Sequence, residues 1–74
     1  MINIRDKKLL KNFGTRLREL RLKKDLSQEI LAYEADIPIS QIGRIERGEV
    51  NATLSTLKKI ANALGISLSE LVKF

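Results

Sequence analysis

The sequence predicts an all-α fold, about five helices joined by short connections. Three observations carry that prediction. Apolar residues recur at three- and four-residue steps along most of the chain. Ser, Thr and Gly stand where such helices must start and stop. No segment alternates apolar and polar residues as a half-buried strand does.

The first helix is predicted from about Lys7 to Lys24, with Leu10, Phe13, Leu17 and Leu20 on its inner stripe. Gly14 weakens it locally and suits the close approach of another helix. Leu26 closes the following turn, and Ser27 stands as N-cap, its hydroxyl able to accept a bond from an unpaired backbone N–H. A short second helix follows from about Gln28 to Ala35, with Leu31, Ala32 and Ala35 as its apolar face. Asp36 is the turn residue, because Asp tolerates the left-handed conformation.

Pro38 suits the first turn of a third helix, where no N–H partner is needed. That helix runs to about Arg47, and Gly48 ends it in the left-handed conformation. Thr53 caps a fourth helix, which points Leu54, Leu57, Ile60, Ala61 and Leu64 inward and stops at Gly65. Ser67 caps a last short helix with Leu71 and Val72 inside. Leu68 and Phe74 are apolar residues that either fill the core or remain for a second copy of the chain.

Length and composition set the class. A chain of 74 residues holds one domain, expected over 1–74. A domain this small buries only about 60% of its unfolded surface, which disfavours a deep substrate cavity. With no Cys and no His, it lacks a disulfide framework, thiolate metal ligands and the commonest general base. The expectation is no enzyme, no metal and no cofactor. No apolar run is long enough to span a bilayer, and the opening MINIRDKKLL lacks the apolar core of a secretory leader, so a cytoplasmic protein is expected.

Net charge is +5, which favours a polyanionic partner mildly. Its distribution is uneven. Residues 1–24 hold nine basic and two acidic groups, residues 25–50 hold two basic and six acidic, and residues 51–74 hold three basic and one acidic.

The stretch IPISQIGRIERG is the most informative. On a wheel of about 100° per residue, Ile42 and Ile45 mark the buried side, with Glu46 beside them. The opposite side carries Ser40, Arg44 and Arg47, flanked by Gly43. A short polar face of this kind fits the major groove of DNA, where Arg can fork onto a guanine edge and Ser can pair with several edges. Gly43 would leave the backbone open to the groove wall; the alternative is a surface helix with an incidental glycine. The second and third helices are joined by about three residues around Asp36, a length that holds two helices at a large angle, with Ala32 small enough for the crossing.

At this point the sequence resembles a known family. QEILAYEADIPISQIGRIERG, at about 28–47, looks like the helix-turn-helix of lambda-repressor-like DNA-binding domains, the phage repressor and Cro or XRE type. The likeness extends from FGTRLRELRLKKDLSQ through NATLSTLKKIANALGISLSEL. In GEVNATL after the motif, and in length, the chain also resembles the stand-alone controller proteins of restriction–modification systems.

The resemblance implies a role for particular residues. Base-reading positions fall on Ile39, Ser40, Gln41 and Arg44. Gln28 matches a glutamine that touches the DNA backbone and supports the reading helix, or else it only occupies the first turn of the second helix. Arg21 and Glu46 match a structural pair, which would add under about 1 kcal/mol if exposed. Arg47 and the 49–53 loop, with Asn51 and Thr53, match a phosphate-contacting region; turn and cap are the plainer roles for those two. Tyr33 is expected outside, as a phosphate donor or a plain surface tyrosine. The chain departs from the family at Asp36, where a glycine is usual, and at Pro38, where a polar cap is usual. Ile39 cannot hydrogen-bond a base but can touch a thymine methyl.

The implied function is a sequence-specific transcriptional regulator that reads a pseudo-palindromic double-stranded operator as a homodimer. The alternative is a protein-interaction module on the same fold, such as an antitoxin or a bridging coactivator.

Overall fold

A computed structural model describes residues 6–74. Part of the segment on which the no-leader expectation rests, residues 1–5, lies outside the described residues. The described chain forms five helices: α1 (Lys7–Lys23), α2 (Gln28–Ala35), α3 (Ile39–Glu46), α4 (Leu54–Leu64) and α5 (Leu68–Leu71).

Four starts are fixed by side-chain caps. Asp6 accepts from the Leu9 N–H, Ser27 from Ile30, and Ser67 from Glu70, each at 3.0 Å. Thr53 accepts from the Thr56 N–H at 3.2 Å. Each such cap is worth about 1 kcal/mol. At the fifth start Pro38 stands at the cap position of α3, where the family likeness put it, rather than inside the first turn, with extended φ and ψ, and no side chain caps that end. Proline has no hydroxyl or carboxylate to offer, so its contribution there is a preset φ.

The turns are left-handed where the sequence places Asp or Gly. Asp36 has φ 58, Gly48 φ 73 and Gly65 φ 71. Asp25 adds a further left-handed residue, φ 57, in the turn after α1.

The core comprises Phe13, Leu17, Leu31, Ala32, Ala35, Ile42, Ile45, Ile60, Ala61, Leu64 and Leu71. Fully burying a Leu or Ile side chain contributes about 1.5–3 kcal/mol. Two expected inner residues lie outside: Leu54 is 69% exposed and Val72 43%. Leu54 opens α4 and Val72 caps the end of α5, so each sits where its helix has left the packed interior. Leu68 does pack against the core, whereas Phe74 is half exposed with its ring 5.9 Å from that of Phe13.

α3 packs on both α1 and α2, and α4 on α2 and α5. Gly14 permits the first of these contacts. A Cβ built there would lie 2.5 Å from the Ile45 carbonyl oxygen and closer still to that of Glu46. Arg16 ties α5 back to α1, its Nη2 donating to the Glu70 carbonyl at 2.8 Å and to Glu70 Oε2 at 2.7 Å. Among the described residues, no helix is long and apolar enough to cross a membrane.

Candidate nucleic-acid interface

The candidate interface is built on α3 and what holds it. Ile42 and Ile45 are buried on its inner side. Beside them Glu46 accepts from Arg21 Nε at 2.6 Å and from Arg21 Nη2 at 3.0 Å. Arg21 Nη1 also donates to the Leu26 carbonyl at 2.8 Å, which closes the turn before α2. The two side chains are only 9% and 4% exposed, so this is a buried ion pair and not the surface pair the sequence allowed for. The hydrogen-bonded Glu46 carboxylate raises the Arg21 pKa above its ordinary value, against the pull of burial.

Gln28 joins this network. Its Nε2 donates to Glu46 Oε1 at 3.0 Å. The side chain thus ties the start of α2 to the end of α3, with its donor group committed inside the protein.

Gly43 is buried, contrary to the expectation of an open backbone. A Cβ there would meet Arg47 Nη1 at 3.0 Å and Gln28 Oε1 at 3.6 Å. The glycine lies beneath the two side chains that reach over α3.

The outer face gathers most of the expected reading residues. Ser40, Gln41 and Arg44 line one shallow concavity with Pro38 and Val50, of about 280 Å³. Ser40 and Arg44 are exposed and Gln41 is half-buried. Ile39 is 47% exposed at the first position of α3 but does not line that hollow. Tyr33 is 86% exposed and lines a separate hollow with Ala32, Asp36, Ile37 and Pro38.

The expected backbone-contact group divides. Arg47 caps α3 and is exposed, but it is already paired: its Nε donates to Glu49 Oε2 at 2.8 Å and its Nη2 to Glu49 Oε1 at 3.3 Å. The pair raises the Arg47 pKa and holds the Glu49 carboxyl below its ordinary range, with Arg44 adding to that pull. Thr53 is committed as the α4 cap and donates its hydroxyl to Thr56 Oγ1 at 3.0 Å. Asn51 is exposed and lines an apolar groove on the α1 side.

Sequence reasoning missed Glu49, which it counted only within an acidic stretch. The available signal was a carboxylate two residues after an arginine, across a glycine that reverses the chain.

Comparison with known proteins agrees with this architecture. The helix-turn-helix family model HTH_3 matches residues 17–71. The control protein C.BamHI of Bacillus amyloliquefaciens is 43% identical over 63 residues, covering 84% of this chain and 78% of that protein. Control protein C.MunI of a Mycoplasma species is 47% identical over 60 residues, covering 80% and 81%. The crystal structure of the restriction-modification controller protein C.AhdI from Aeromonas hydrophila superposes with a TM-score of 0.81 and 48% identity over 86% of this chain and 96% of that one. These relatives are control proteins and not enzymes. The chain belongs to the HTH_3 helix-turn-helix family, of the XRE type.

Proposed function

We propose that this chain is a cytoplasmic, sequence-specific DNA-binding transcriptional regulator that grips a pseudo-palindromic operator as a homodimer. The observation that carries this reading is the outer face of α3, where Ser40, Gln41 and Arg44 line one hollow while Arg21, Gln28 and Glu46 brace the helix from behind. A reading helix must arrive in the groove already positioned, because holding it still costs entropy at the moment of binding.

In this reading Ser40, Gln41 and Arg44 meet base edges, and Ile39 meets a thymine methyl. Gln28 acts from the first turn of α2, Tyr33 offers an exposed hydroxyl to phosphate, and Asn51 meets phosphate from the loop before α4. Thr53 acts through its cap, which presents the start of α4 to an anion. Arg47 supplies a charged fork for a phosphate.

One short helix specifies few base pairs, so useful selectivity needs two copies, with half-sites about 34 Å apart. The apolar groove lined by Leu9, Phe13, Leu57, Val72 and Phe74 is the surface available to the second copy. The controller-protein relatives support the regulatory role.

Selection of bound fragments from random DNA tests the proposal, followed by fluorescence anisotropy across salt. Affinity for the selected site should fall log-linearly, with a slope of about −0.9 per phosphate contact. Sedimentation should show two chains per site. A flat salt response, or a co-purifying protein with sequence-indifferent DNA binding, would favour a protein-interaction module instead.

A further inference from the structure

We infer that Glu49 is a built-in competitor of the DNA backbone for Arg47, so that a phosphate must displace a carboxylate before it can be gripped. The inference rests on the DNA-binding reading above and deepens it.

The geometry is that of a stand-in. Arg47 holds both carboxylate oxygens of Glu49, at 2.8 and 3.3 Å. This two-pronged arrangement is the one Arg offers to a phosphate. Each side chain is more than half exposed, 59% for Arg47 and 51% for Glu49. The pair therefore does little to hold the fold, and an incoming phosphate has access to it.

The position of Glu49 is fixed by the backbone. Gly48 turns the chain at φ 73. Its N–H donates to the Ile45 carbonyl at 3.0 Å, and the Glu49 N–H donates to the Arg44 carbonyl at 2.9 Å. Close packing on α1 guards the turn, since a Cβ on Gly48 would meet Lys11 Cα at 2.9 Å. Glu49 is thus pinned to the last turn of α3, beside both arginines of the proposed interface.

A carboxylate there opposes helix stability, because the C-terminal end of a helix carries partial negative charge. It also faces the side from which a polyanion would come. Its cost on binding has two parts. Arg47 gives up a partner, and the released carboxylate stays near the phosphate. Phosphate carries no sequence information, so the cost falls on every duplex alike. The effect is to restrain general DNA affinity and leave discrimination to the base-reading face.

A double-mutant cycle on the full chain tests this. Binding of a fluorescein-labelled selected duplex and of a scrambled duplex is measured for wild type, Glu49→Gln, Arg47→Ala and the double variant. Glu49→Gln should tighten binding to both duplexes about three- to tenfold and steepen the salt slope by about one phosphate contact. In the Arg47→Ala background the gain should shrink at least threefold on both duplexes, because only repulsion remains to be relieved. Equal gains in the two backgrounds, or no gain in wild type, would overturn the competitor role while leaving DNA binding intact. Wild type that binds neither duplex in a salt-dependent manner would remove the DNA-binding reading, and this one with it. Thermal unfolding of each variant confirms that the fold persists.

Discussion

Arg21 and Glu46 form a buried two-pronged ion pair that fastens α1 to the last turn of α3, with contacts of 2.6 and 3.0 Å. The pair has more than one consequence, because Glu46 also receives Gln28 and Arg21 also holds the Leu26 carbonyl. Removing either member leaves a buried charge without its partner.

Glu46→Gln and Arg21→Met should therefore each destabilise the fold by about 3 kcal/mol. Replacing both together should cost clearly less than the sum. Urea unfolding of the three variants checks this. A loss under about 1 kcal/mol for each single change would mean that the pair is solvated in solution.

Two glycines should respond oppositely to alanine. At Gly14 the new methyl collides with the Ile45 and Glu46 carbonyls, which are backbone and cannot step aside. Gly14→Ala should cost about 1–3 kcal/mol. At Gly43 the nearest atom is the far end of Arg47, at 3.0 Å, which can move. Gly43→Ala should be neutral or stabilising by up to about 1 kcal/mol, the helix-propensity difference. Melting temperatures of the two variants decide the matter, and equal losses would contradict the packing described.

Much of this architecture was legible from sequence because the signals are local. Ser27, Thr53 and Ser67 cap their helices as hydroxyls should, and Asp36 and Gly48 turn the chain left-handed. What failed to show was what one helix lays over another. The wheel places Gly43 on the flank of the polar face, but Gln28 from α2 and Arg47 from the next turn cover it. Leu54 and Val72 fit an inward stripe by spacing, yet a stripe does not say where the neighbouring helix ends. The partners Arg21 and Glu46 came from family likeness alone, and the depth of their burial came from neither pattern nor likeness.

Glu49 should titrate below the ordinary carboxylate value of about 4.3, because the hydrogen-bonded Arg47 guanidinium favours its charged form. A depressed folded-state pKa stabilises the fold above the unfolded value, and that contribution is lost as pH falls through the folded value. Side-chain carboxyl shifts by NMR should show this low titration in wild type and a return upward in Arg47→Ala. Identical titrations in the two proteins would mean the pair does not persist in water.

Phe74, half exposed in the groove proposed for the second copy, should matter to assembly more than to folding. Phe74→Asp should weaken dimer formation at least tenfold in sedimentation, with some loss of stability from its contact with Phe13. Unchanged dimerisation would place the second copy on another face.

Base preference after removal of Arg44 tests the proposed reading face most directly. Affinity is measured on the selected duplex and on each single-base variant of it, with melting temperature as the control. Arg44→Ala should change stability by no more than about 0.5 kcal/mol. It should weaken the selected site by about 1–3 kcal/mol and relax preference at one base pair per half-site, a guanine. Equal weakening on every duplex, with base preference intact, would make Arg44 a backbone contact and contradict the assignment of this face to sequence reading.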